Sequence, residues 1–200
     1  MKLYYAPGSC SLAPHIVVRE AGLDMGLERV DLKAKRTESG GDYRAINPMG
    51  AVPALELDDG ELLTENAVVL QYLAAQAPDA KLAPTADGMA HWRLLELLNF
   101  IATELHKGFS QLFARPPEEW RARTAKKIED RLALLAEKLG EKPYFTGNHF
   151  SIADAYVFVM LIWAAKFNIP TGKRLEVYYA RVAERPAVQR ALREERLSVG

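Results

Sequence analysis

A single cysteine among 200 residues rules out an internal disulfide framework and suits a reducing compartment. Net charge of either sign is also missing: 26 Lys and Arg offset 26 Asp and Glu. The chain therefore lacks the diffuse positive field that draws proteins to nucleic acid or anionic membranes, and a small molecule or a protein is the expected partner. The opening MKLYYAPGSC has no apolar run of the ~7–15 residues a secretory signal needs, and Pro7-Gly8 breaks it. The most apolar stretch, from Ile152 to Phe167, carries Asp154 and falls short of the ~20 residues that span a bilayer. A cytoplasmic protein without a membrane span is expected. His15, His91, His106 and His149 are scattered, with no H-x-x-x-H or Cys/His cluster, so no metal site is expected. A Gly-rich phosphate loop and a G-x-S-x-G elbow are absent too.

What is present suits a folded protein of two domains: 49% apolar residues, 26% charged, and a length above the ~100–150 residues of a typical single domain. Residues 2–5 (KLYY) read as a strand, then Pro7-Gly8 as a turn, then SLAPHIVVREAGL as a helix stopping near Gly22. Residues 27–32 alternate as a second strand, followed by a polar loop and a short helix. AVPALEL and ELLTE flank Asp58-Asp59-Gly60, a strong hairpin signal, before the helical ENAVVLQYLAAQ. This order gives an α/β unit over 1–80 with a mixed four-stranded sheet. Residues 77–88, with two prolines and a glycine, read as a linker. An all-helical domain over 87–200 follows, with helices at about 89–113, 118–139, 152–168 and 174–194. Ser151 and Asp154 have the spacing of a capping box.

Cys10 follows the first strand and its Pro-Gly turn and precedes a helix. Its sulfur is thus expected beside unpaired amides at the positive end of a helix dipole, a position that lowers a thiol pKa. A small buried residue at a tight turn is the competing reading, and the residues alone leave both open. Ala13 stands where a C-x-x-C motif would place its second cysteine, so dithiol chemistry within the chain is excluded. Val52-Pro53 enters a strand; a cis bond there would turn the backbone toward a peptide-like ligand, and a plain strand-edge proline fits equally. Glu65 and Asn66 begin the next helix, where they suit either a γ-glutamyl group or solvent. Glu96, Asn99, Thr103, His106 and Ser110 recur at spacings of three and four and form one polar stripe, which faces either water or a ligand.

Five segments taken together, KLYYAPGSCSLAPHIVVREAGL, NPMGAVPALELDDGELLTENAVVLQYLA, LLNFIATELHKGFSQLF, FSIADAYVF and ERPAVQRAL, closely resemble the bacterial beta-class glutathione transferases. The resemblance implies a thioredoxin-like first domain binding glutathione as co-substrate and an all-helical second domain completing a hydrophobic substrate site. It also implies a homodimer, with the site around Cys10 in the cleft between the domains, and attack of glutathione on hydrophobic electrophiles. By position it implies that Cys10 contacts the glutathione sulfur and can form a mixed disulfide with it, assisted by Ser11. Lys35 then meets a glutathione carboxylate, Val52 before the cis proline Pro53 pairs with the tripeptide backbone, and Glu65 and Asn66 hold the γ-glutamyl end. Asn99, Thr103, Glu104, Leu105, His106 and Lys107 form the contribution of the second domain. Phe109, Phe113 and Trp163 are candidates for the apolar pocket. The chain departs from the family at Asn66, commonly glycine or serine, and at Thr146, where some relatives carry a second cysteine. A noncatalytic protein-binding scaffold on the same fold is the alternative.

Overall fold

The computed structural model describes residues 1–198. The chain forms two compact units: Met1–Leu82 together with the chain from Arg185 onward, and Ala83–Glu184.

The first unit opens with β1 (Lys2–Tyr5), α1 (Leu12–Glu20), β2 (Gly26–Asp31) and β3 (Arg36–Thr37). It continues with α2 (Tyr43–Ile46), β4 (Ala54–Glu56), β5 (Leu62–Leu63) and α3 (Asn66–Gln76). The sheet order is β3-β2-β1-β4-β5, with β1 and β2 parallel and the remaining pairs antiparallel. The sheet is mixed, as its residue pattern predicts, but it has five strands and not four. The additional strand, β3, lies in the segment that reads as a polar loop. Asp31 makes it possible: its Oδ1 accepts the amides of Lys33 and Ala34 at 2.8 and 2.9 Å, and Lys35 takes a left-handed φ of +56°. The chain thereby reverses and pairs Arg36 with Asp31. Two residues show no period, which is why alternation cannot reveal them. The expected hairpin is present, with Leu55 opposite Leu63.

α1 is buried on all sides from Leu12 to Val18 and packs on α3 and the last helix. On the sheet, Tyr4, Val30, Tyr43, Val52 and Ala54 form a core cluster.

The second unit is helical: α4 (Met89–Phe100), a π-helical turn (Ile101–His106), α5 (Lys107–Phe113), α6 (Glu118–Leu139), α7 (Ile152–Lys166) and α8 (Gly172–Ala183). Nearly every residue of α7 is buried, as expected of a central helix. In α6, only Ile128, Leu132, Leu135 and Leu139 are buried, one helical stripe on an otherwise polar helix. Gly108 permits the close approach of α5 to α6, because a Cβ there would lie 3.0 Å from Ile128 Cγ1.

The segment 174–194, read from sequence as one helix, is two: α8 and α9 (Pro186–Glu194). Pro186 forces Arg185 out of the helical region, to ψ 133°, and then supplies the first turn of α9. α9 returns to the first unit and packs on α1, where Arg185 donates to Glu20 at 2.6 and 2.8 Å. Among the described residues, no helix is long and apolar enough to cross a membrane.

Candidate active site

In the first unit, the turn Ala6–Ser11 joins β1 to α1 and carries Cys10. Cys10 Sγ donates to the Val52 carbonyl at 3.1 Å, so two residues expected to face one ligand are in direct contact. Val52-Pro53 is cis. Ser11, fully buried at the cap of α1, does not cap with its side chain; its Oγ accepts the Ala6 amide at 3.0 Å and lies 2.7 Å from Ser9 Oγ. The hydroxyl thus pins the turn. Lys35 Nζ donates to the Gly50 carbonyl at 2.7 Å. Glu65 sits exposed at the cap of α3 with φ +65°, and Asn66 is buried as its first residue. Asn66 Nδ2 and Oδ1 have no hydrogen-bond partner and are, among the described residues, the buried side-chain polar atoms in that state. An orphaned buried amide costs about 1–3 kcal/mol per group.

The expected lowering of the Cys10 thiol is reversed. Burial pushes its pKa up to about 12, and hydrogen bonds from the backbone at Cys10 and Ser11 recover only part of that rise. Desolvation therefore outweighs the helix start, whose field is worth about 0.3–1 kcal/mol at ordinary exposure. In the free protein Cys10 is a neutral S–H donor.

In the second unit, the polar stripe does not present one uniform face. Asn99, Thr103 and Ser110 are exposed and bond to backbone carbonyls one turn back, at 3.2, 3.0 and 2.9 Å. Glu104 accepts from Arg131 Nε at 2.8 Å, and that guanidinium, with Lys127 adding charge, holds its carboxyl below the usual range. Leu105 is fully buried and Lys107 is exposed. His106 alone turns inward: its Nδ1 lies 2.6 Å from the Tyr156 hydroxyl and its ring packs on Trp163. Phe109 and Trp163 are buried; Phe109 stacks on Phe167, and Trp163 meets Phe109 and Phe113 edge-on, whereas Phe113 remains 40% exposed.

Models of the Glutathione S-transferase N-terminal and C-terminal domains match residues 8–76 and 118–193. Glutathione S-transferase GstA of Escherichia coli O157:H7 is 48% identical, covering 98% of this chain and 100% of its own. The chain belongs to the glutathione S-transferase family. Its bacterial beta-class character follows from solved relatives. The ternary complex of BphK, a bacterial transferase, is 47% identical and superposes with a TM-score of 0.94 over 98% of this chain and all of its own. A beta-class transferase of Sphingomonas chungbukensis is 42% identical, with a TM-score of 0.94 over 99% and 100%. A sphingomonad transferase solved with glutathione, 44% identical, gives the same score at the same coverage.

Two features of this transferase escape sequence reasoning. The π turn Ile101–His106 widens the helix where four of the carried-over positions lie; such turns recur at functional sites, and nothing in the local sequence announces one. Tyr156, buried on α7, faces His106 from 50 residues away.

Burial, with Lys107 adding repulsion, pushes the His106 pKa down to about 4. The ordinary value is about 6.5, so between about 6.5 and 4 the unfolded chain binds the proton more readily, and each fall in pH across that window removes stability. We predict that the His106 imidazole stays neutral to about pH 4–5 in a nitrogen-detected NMR titration. A midpoint near 6.5 would show that its surroundings do not exclude charge.

Proposed function

We propose that this transferase catalyses attack of the glutathione thiolate on electrophilic, mostly hydrophobic small molecules. The reading rests on the contact of Cys10 with Val52, 42 residues apart and both assigned to the same tripeptide by resemblance. Glutathione pairs along Val52, with a carboxylate at Lys35 and its γ-glutamyl end at Glu65 and Asn66. The orphaned Asn66 amide suits that end, which offers a carboxylate to a donor and an ammonium to an acceptor. The Cys10 S–H donates toward the glutathione sulfur, and Ser11 holds the turn that aims it. A new S–C bond then forms as the leaving group departs with its electron pair. Asn99, Thr103, Glu104, Leu105, His106 and Lys107 serve the same glutathione on the strength of the resemblance. Phe113, the exposed ring of its cluster, is the best placed to meet an apolar substrate.

A homodimer in the cytoplasm is the proposed working form. The test is a glutathione-dependent assay with a chlorodinitrobenzene substrate beside a disulfide-exchange assay, on the protein and on Cys10→Ala. Conjugation that survives while exchange is lost assigns the first to the ligand's sulfur and the second to Cys10. Absence of both activities and of binding to immobilised glutathione would revive the scaffold alternative, which the family membership does not favour.

Asn66→Ser gives a further check. A hydroxyl carries less unmet hydrogen-bonding demand, so the free protein is expected to gain about 1 kcal/mol, or roughly 2–4 °C in Tm. Glutathione binding is expected to weaken by about 3–10-fold through the lost amide contact. A lower Tm with unchanged binding would show that the amide serves packing alone.

A further inference from the structure

We infer that Glu195, at the far end of the chain, is a positioning residue that fixes the turn carrying Cys10, and that it does so by bonding Gly8 and His15 together. The inference rests on the proposed role of Cys10 in glutathione binding.

The side chain of Glu195 is completely buried. Its Oε2 accepts the Gly8 amide at 2.9 Å, two residues before Cys10, and its Oε1 lies 2.9 Å from His15 Nδ1 on α1. The other ring nitrogen of His15, also completely buried, lies 2.8 Å from Glu194 Oε2. A carboxylate oxygen can only accept, so a ring nitrogen of His15 that bonds a carboxylate is the donor of that contact. Glu194 is further held by Arg19 and Arg190. A buried carboxylate is costly unless its partners are in place, and here it joins the turn before Cys10, the helix after it and the end of the chain.

Local structure places Glu195 there. α9 ends with Arg196 at φ +56°, the Arg196 amide donates to Arg193 O, and the Leu197 amide reaches back to Leu192 O. This is a Schellman turn, and it folds the chain end back on itself. Leu197 consequently lies over Gly8, near enough that a Cβ on Gly8 would be 3.5 Å from Leu197 Cδ2. Gly8 has φ +68°, a left-handed conformation that glycine adopts without strain, and its amide points at the Glu195 carboxylate. The carboxylate takes up that amide, and the turn cannot swing without breaking a charged hydrogen bond.

Release of this tether should loosen the turn and uncover the Cys10 sulfur. The test compares wild type, Glu195→Ala, Glu195→Gln and Glu194→Gln by the rate of Cys10 alkylation with iodoacetamide, by kcat and KM for glutathione, and by Tm. Glu195→Ala is expected to speed alkylation at least about tenfold and to raise KM severalfold with a smaller change in kcat, because positioning and not chemistry is lost. Glu195→Gln turns one of the contacts from acceptor to donor and should give an intermediate effect in the same direction. Glu194→Gln leaves the bond to Gly8 intact and should change alkylation less than about twofold. If Glu195→Ala fails to fold, Glu195→Gln decides. Alkylation and KM within twofold of wild type in the Glu195 variants, with only Tm lowered, would make Glu195 merely structural and overturn the inference. If the wild type neither binds nor conjugates glutathione, the functional reading fails, and the alkylation comparison still decides the tether.

Discussion

Asp154→Ala is expected to cost about 3–5 kcal/mol of stability, the largest single loss that one substitution in the helical unit should cause. Asp154 is completely buried and receives four hydrogen bonds. They come from the Ser151 amide at 2.8 Å, Ser151 Oγ at 2.6 Å, the Phe145 amide at 3.0 Å and the Tyr178 hydroxyl at 2.9 Å. Only the first belongs to the capping box. Ser151 Oγ adds a side-chain contact beside it, and the last two tie the start of α7 to the preceding loop and to α8, so alanine leaves four donors unmet in a fully buried site. An isolated capping contact is worth about 1 kcal/mol, and the excess over that figure measures the network. Burial, outweighing these hydrogen bonds, pushes the Asp154 carboxyl upward. A site that resists charge should tolerate Asp154→Asn better than Asp154→Ala, since asparagine keeps an acceptor. Denaturant unfolding followed by circular dichroism measures both, and the alanine variant should melt roughly 6–20 °C lower. A loss under about 1 kcal/mol would reduce Asp154 to an ordinary cap.

The capping box shows what local sequence makes legible. Ser151 and Asp154 bond to each other because they are three residues apart, and their spacing predicts it. The same holds for the hairpin at Asp58-Asp59-Gly60 and for α6, whose bounds, Glu118–Leu139, are those the sequence pattern predicts. Local pattern fails where a neighbour decides. β3 exists because β2 offers an edge, and the π turn lies where the helix meets α6 and α7. Pro186 did carry a visible stop, and reading 174–194 as one helix passed over it. Of the proposed site, Cys10, Val52, Glu65 and Asn66 are nameable from sequence, but their state is not. The direction of the Cys10 shift depends on how deeply the fold buries it. The carboxylate that holds its turn lies 185 positions along the chain.

The second large effect concerns that thiol. Iodoacetamide is expected to alkylate Cys10 of the free protein about a thousand times more slowly than free cysteine at pH 8. The thiolate is the reactive form, and a pKa pushed up to about 12 leaves about one part in ten thousand ionised, against about a quarter at the ordinary value near 8.5. Burial at 7% exposure slows access further. The rate should still be climbing with pH at pH 10, where an exposed cysteine has levelled off. A plateau near pH 8 would mean that the helix start, and not desolvation, sets the thiol's state. The consequence reaches the chemistry, because a proton shared between two sulfurs stays on the weaker acid. With glutathione docked as proposed, its thiol is the one expected to ionise beside a Cys10 that holds its proton tightly, with Cys10 as its donor. Conjugation then needs no ionised Cys10, whereas a mixed disulfide does. Cys10→Ala should therefore leave conjugation within about tenfold of wild type, the value of one hydrogen bond, and remove disulfide exchange altogether.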